Sequence, residues 1–205
     1  MRRATAKRWL IGLVCVAALS APAWATTVTF QPSPANLWNL QHEKCQSWGI
    51  QWTVPEGEQI DDAILSIKSI DNWRNEPNAL YIHLLDDPKV GTFRSRDKFT
   101  ASDDWAGQGD LVGIYVDYKH GKKESPSYSM SSLGLLDEFR EYAADGVFGF
   151  GFDPDGQCSN KGVSLTIITS PVPPPPSHMP EPVTMASVLC GLAMVGGYVR
   201  RRLAA

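Results

Sequence analysis

Val147-Phe148-Gly149-Phe150-Gly151-Phe152 decides the fold class. Phenylalanine stands at every second position, with only glycine between. A period of two puts all three rings on one face of an extended strand and leaves the opposite face bare. A helix would scatter the same rings around its axis. Outward from this hexapeptide, other segments show the same period. They are Thr27–Gln31, Ser47–Val54, Ile60–Ile70, Asn78–Leu85, Leu111–Tyr118 and Gly162–Ser170. Turn residues such as Pro55-Glu56-Gly57, Asp86-Asp87-Pro88 and His120-Gly121 bound them. One segment departs from the rule. Ser132–Ala144 spaces Leu135, Leu136, Phe139, Tyr142 and Ala143 as an amphipathic helix, with Glu138, Arg140 and Glu141 toward water and Asp145-Gly146 as its stop. The expectation is a mainly β domain over residues 26–170. It is an antiparallel β-sandwich, jelly-roll-like, with one short amphipathic helix and seven or eight strands. A lipocalin-like barrel is the alternative.

Both ends read as addresses. Met1–Arg8 is basic, Trp9–Leu19 is an 11-residue apolar run, and Ala23-Trp24-Ala25 has the small-x-small form of a cleavage site. Residues 1–25 therefore read as a secretory signal peptide cut after Ala25. At the other end, Val183–Val199 is free of charge over 17 residues. As a helix it would be about 25 Å long, close to a hydrocarbon core. Arg200, Arg201 and Arg202 follow it and would hold that end in the cytoplasm. Residues 171–179 form a Pro-rich linker with five prolines in Pro171–Pro176, an extended polyproline II spacer.

The three parts in order resemble the PEP-CTERM sorting signal of Gram-negative bacteria: Pro180-Glu181-Pro182, then the apolar span, then the arginines near the end of residues 180–205. The resemblance covers about 25 of the 205 residues and concerns routing. It implies processing by an exosortase, a membrane-embedded, transpeptidase-like cysteine protease. It also implies transit through the secretion machinery, passage by the inner membrane, and display by a cell that makes exopolysaccharide and lives in biofilms. A single-pass anchor without processing is the competing reading of the same tail.

Charge is distributed unevenly. The whole chain carries −3, but without its seven terminal basic residues and Glu181 the remainder holds 12 basic against 21 acidic side chains, a balance of −9. Such a body repels phosphate backbones, so nucleic acid is excluded as a partner. Of four cysteines, Cys15 and Cys190 lie in the terminal apolar runs, leaving Cys45 and Cys158 for the body. An even pair in an exported domain predicts one disulfide closing 113 residues. Two buried thiols are the alternative.

Catalytic motifs are missing: no G-x-S-x-G, no H-E-x-x-H and no phosphate-binding glycine loop. That points away from an enzyme and toward a binding or structural module; a secreted hydrolase on the same scaffold is the rival. Two oxygen-rich stretches follow strands, and Asp71, Asn72, Asp153 and Asp155 are candidate Ca2+ ligands. The pairs Asp61-Asp62, Asp86-Asp87 and Asp103-Asp104 read as solvated turn charges. Trp73 and Trp105 lie in polar loops, where indoles stack on sugar rings. They are the candidates for contact with extracellular polysaccharide.

Overall fold

The computed structural model describes residues 24–173, except 74, 76 and 98–102. The expected cleavage motif around Ala23, the sorting motif Pro180–Pro182 with Arg200–Arg202, and the span 183–199 lie outside the described residues in whole or part. Among the described residues no helix is long and apolar enough to cross a membrane.

The chain is mainly β, in antiparallel sheets. In order the strands are β1 (Thr26–Phe30), β2 (Lys44–Gln51), β3 (Glu58–Lys68), β4 (Asp71–Asn72), β5 (Asn78–Asp86), β6 (Gly91–Arg96), β7 (Asp110–Asp117) and β8 (Ser127–Ser129). Two short helices follow, α1 (Met130–Leu133) and α2 (Leu136–Tyr142). Then come β9 (Val147–Pro154), β10 (Cys158–Ser159) and β11 (Gly162–Pro171). One sheet runs β1-β11-β3-β8 and a second runs β6-β2-β9-β5-β7, with β10 and β4 paired apart. The sheets are separate and open-edged, so the closed barrel is set aside.

Both sheets feed one core. From the first come Ala63, Leu65 and Ile67 of β3 and Val163, Leu165 and Ile167 of β11, which lie directly opposite one another in the register. From the second come Trp48, Ile50, Leu80, Ile82, Leu84 and the three phenylalanines of β9. Phe148, Phe150 and Phe152 are fully buried, each worth about 1.5–3 kcal/mol relative to exposure. Phe139 of α2 meets Phe148 edge-on at 5.2 Å between centroids, closing one end of the core.

The expected single helix is two. Gly134 lies between α1 and α2 at φ 75°, a left-handed C-cap that stops the first turn. Ser129 opens α1 by accepting the Ser132 N–H at 3.2 Å. Arg140 is partly exposed and also anchors the helix, its Nε and Nη2 donating to the Ile60 carbonyl at 2.9 and 2.6 Å.

The expected disulfide is absent. Cys45 and Cys158 are both buried free thiols. The reason is strand phase. Trp48 and Ile50 of β2 point into the core, so Cys45, an odd number of residues away, points out of the other face of the sheet. Cys158 belongs to the core itself. A disulfide needs Cα atoms within about 7 Å and converging Cβ vectors, which opposite faces of a sheet do not offer.

Candidate functional site

The outer face of the β6-β2-β9-β5-β7 sheet carries the chemistry. Its floor is the bare side of β9. A Cβ on Gly151 would lie 2.7 Å from the Trp105 indole, and one on Gly149 would lie 2.8 Å from the Pro88 ring. Gly151 is therefore the seat of a segment over Asp103–Gln108, and Gly149 admits both the Trp48 carbonyl of β2, which an added Cβ would overlap, and a segment around Pro88.

The second of these segments is tied down in detail. His83 Nε2 bonds Asp103 Oδ2 at 2.7 Å, and the Trp105 N–H donates to Asp103 Oδ1 at 3.0 Å. The Asp104 N–H donates to Asp153 Oδ2 at 2.7 Å, and Gln108 Nε2 donates to the Asp104 carbonyl at 2.6 Å. Asp103 and Asp104, expected as solvated turn charges, instead anchor the segment to the sheet. Asp62 likewise serves structure, accepting from the Ser131 N–H at 3.0 Å and the Ser129 hydroxyl at 2.8 Å.

Beneath Asp104 lies a mixed donor set. Cys45 of β2, Asp97 just beyond β6, and Asp153 of β9 bring a sulfur and two carboxylate oxygens within 4.8 Å of one another, all three residues buried. The Cys45 thiol donates to Asp104 Oδ2 at 3.1 Å and lies 3.7 Å from Asp153 Oδ1. Asp97 is held by its N–H on the Glu43 carbonyl at 3.0 Å. Burial pushes the Asp153 carboxyl up to about 6, and the charges of Asp97, Asp104 and Asp155 add to that. The Asp104 N–H bond works in the opposite sense. Asp155 is also raised, first by burial and then by Asp97, with His42 opposing. The Cys45 thiol is pushed far up by burial, its bond to Asp104 and the surrounding carboxylates. An open pocket lined by Cys45, Ser95, Asp104, Trp105 and Gln108 leads to the set from solvent.

The four calcium candidates divide. Asp153 and Asp155 lie in or beside this donor set. Asp71 and Asn72 are spent elsewhere. Asp71 Oδ1 accepts the Gly121 N–H at 2.8 Å, and Asn72 Nδ2 donates to the Asp117 carbonyl at 3.2 Å. Asn78 Nδ2 bonds Asn72 Oδ1, and His120 Nδ1 donates to the Asn72 carbonyl at 2.8 Å. This polar network surrounds Cys158, whose thiol is pushed up to about 12 by burial and by Asp117 and Asp71.

The two tryptophan candidates also part company. Trp105 is a wall of the first pocket, lying over Gly151, with its indole Nε1 buried and unpartnered. Trp73 is 54% exposed and lines a second cleft with Asn39, Gln41, Gln157 and Cys158. Its N–H donates to the Gln157 carbonyl at 3.1 Å. Asn39 reaches the cleft from a left-handed turn in which Leu37, Trp38, Asn39 and Leu40 all have positive φ, from 46° to 64°. Such backbone costs about 1–2 kcal/mol per non-glycine residue. The full burial of Leu37 and Leu40 holds it in place. The Arg94 guanidinium lies 5.1 Å from the Trp38 ring centroid.

Sequence reasoning missed that Cys45 lies against Asp153, took Asp104 only for a solvated turn charge and did not single out Asp97. One signal was present. Extended back through Ser47, the alternation of β2 puts Cys45 in phase with the face that β9 reserves for glycine and Asp153.

No protein-family model matches this chain, and no curated protein sequence does. Among solved structures, latent aurone synthase (polyphenol oxidase) from natural source is similar over 62% of this chain and 24% of that one, at 12% identity and a TM-score of 0.37. Its recombinantly expressed form is similar over 65% and 26%, at 13% identity and a TM-score of 0.37. This chain thus spans about a quarter of the length of those enzymes. Likeness at that level transfers neither activity nor substrate.

Proposed function

We propose that this chain is an exported cell-envelope or matrix protein whose two sheets form a jelly-roll-like β-sandwich that binds extracellular polysaccharide. Delivery rests on the sequence of the two ends: the signal with Ala23 and Ala25, and the tail with Pro180-Glu181-Pro182, the apolar span and Arg200–Arg202, processed by an exosortase at the inner membrane. The observation that carries the binding role is the cleft at Trp73. It sets an exposed indole beside three carboxamides, Asn39, Gln41 and Gln157. An aromatic face packs against the C–H side of a sugar, and carboxamides donate to and accept from its hydroxyls. Among the described residues that line the cleft none is charged, so neutral sugars are the first ligands to test. The test is retention of the full chain on immobilised neutral polysaccharides. Trp73→Ala should abolish retention without lowering stability by more than about 0.5 kcal/mol, as expected for an exposed side chain. Unchanged retention would remove the binding role. Alanines at Pro180, Glu181 and Pro182 should leave an unprocessed membrane form in a host with exosortase; an unchanged mature mass would remove the sorting role.

A secreted hydrolase is the second reading, and one observation favours it. Asp153 is raised to about 6 amid other carboxylates, as general acids are. Against it stands burial: Asp153 has 0% exposure, and its oxygens face Cys45 and the Asp104 N–H. Release of reducing sugar from the same glycans, lost in Asp153→Asn, would favour the hydrolase over the binding module.

A further inference from the structure

We propose that Cys45, Asp97, Asp104 and Asp153 bind one thiophilic divalent metal ion of the zinc class. This goes beyond the glycan-binding reading and does not depend on it; none of these residues lines the Trp73 cleft.

The donor set has the composition and spacing of such a site. Zinc takes thiolate sulfur at about 2.3 Å and carboxylate oxygen at about 2.0–2.2 Å, in a tetrahedron. Those bond lengths place a sulfur and an oxygen ligand about 3.5–3.7 Å apart. Cys45 Sγ lies 3.1 Å from Asp104 Oδ2 and 3.7 Å from Asp153 Oδ1, on either side of that span. Asp97 supplies the third carboxylate, its oxygen within 4.8 Å of the Cys45 and Asp153 donors. Cys45, Asp97 and Asp153 form the compact part of the set, and Asp104 joins it through its contact with the Cys45 sulfur.

The supports are also in place. The ligands come from β2, the end of β6 and β9, with Asp104 fixed through its own N–H on Asp153 and its carbonyl on Gln108. Such outer bonds hold ligands in coordinating orientation. The open pocket at Cys45 and Asp104 is the path of entry. Beside the set, Asp155 Oδ1 and His42 Nδ1 are buried without a partner, where a water on the metal would meet an acceptor and a ring nitrogen. Several carboxylates converging in a buried place repel one another when ionised, and a dication reverses the sign of that energy. The single sulfur decides the metal class. Calcium and magnesium select oxygen alone, whereas thiolate selects zinc and its softer relatives. On binding, the Cys45 S–H proton leaves to solvent as the metal–sulfur bond forms.

The experiment uses the full chain in detergent, reduced and stripped with EDTA. Zinc chloride, cadmium chloride and calcium chloride are added separately and in competition, followed by native mass spectrometry and ultraviolet absorption. The expected result is one zinc or cadmium ion per chain, with cadmium giving a thiolate-to-metal charge-transfer band. Cys45→Ser and Asp97→Asn should each weaken zinc by more than about tenfold. Cys158→Ser should keep both the ion and the band. X-ray absorption of the zinc-loaded natural chain should show one sulfur neighbour among oxygens, and this decides the matter even if a variant fails to fold. Overturning results are no bound zinc, a metal shell without sulfur, a band lost with Cys158 instead of Cys45, or calcium displacing zinc at equal concentration.

Discussion

Replacing Gly151 by alanine tests whether the phenylalanine–glycine alternation of β9 exists to seat Trp105. The added methyl would stand 2.7, 2.8 and 2.9 Å from three atoms of the indole ring system. Ordinary carbon–carbon contact is about 3.5–4.0 Å, so the overlap is roughly 1 Å. Trp105 cannot yield alone. Its backbone N–H is held by Asp103, which His83 holds in turn, and the adjoining Asp104 N–H is on Asp153. Overpacking of this kind costs about 1–3 kcal/mol. For a chain of this size that is a fall in Tm of about 2–4 °C per kcal/mol. The partner variant gives the decisive comparison. In a Trp105→Ala background the methyl finds room, and alanine suits an extended strand better than glycine, so Gly151→Ala should stabilise by a few tenths of a kcal/mol. The assay is urea unfolding of all four chains, closing a double-mutant cycle. The expected coupling exceeds about 1 kcal/mol. A coupling below about 0.5 kcal/mol, or a Gly151→Ala chain as stable as the parent, would refute the argument that Gly151 is a seat.

Three further outcomes follow from the same geometry. Denaturation in alkylating reagent without reductant should label both Cys45 and Cys158 completely; a linked peptide pair in the mass map would contradict their opposite-face placement. Gly134→Ala should cost about 1 kcal/mol, because a residue with a Cβ must hold φ 75° at the C-cap of α1; a loss under about 0.3 kcal/mol in urea melts would show the cap is not strained. In EDTA, Asp153 binds its proton more tightly folded, at about 6, than unfolded, near 3.8. Its contribution is therefore present below about pH 4 and is lost as pH rises through about 6. Asp153→Asn, which cannot ionise, should equal the parent near pH 4 and exceed it in stability above pH 6; a gap that does not change between those values would show that Asp153 titrates normally.

The strands were legible because each buries one face. All seven alternating segments are strands in the structure, within a few residues at their ends. β6 was not legible, for a physical reason. Its sequence Gly91–Arg96 lies at a sheet edge with three exposed residues in succession, so it has no apolar alternation to read. β4, β8 and β10 are two or three residues long, too short to establish a period. The helix was legible as an apolar stripe, but Gly134 breaks it just before Leu135 and Leu136, and only its positive φ reveals the break. The donor set was the least legible feature. Cys45, Asp97, Asp104 and Asp153 are brought together by sheet order, and β2 lies between β6 and β9 although fifty residues separate β6 from β9. An even cysteine count suggested a bond because counting ignores strand phase. Phase alone would have warned that Cys45 and Trp48 face opposite sides.

The opposite-face placement of the two thiols constrains when the chain can meet an oxidant. On the proposed export route, the chain would enter an oxidising compartment unfolded and meet oxidants while its cysteines are still free to collide. A bridge made at that moment would have to be broken before β2 could take its position, since no native arrangement accommodates it. Acquisition of structure is thus a race against oxidation. Once the sheets close, the two sulfurs are held on opposite sides of a sheet, and the folded chain can no longer join them to each other.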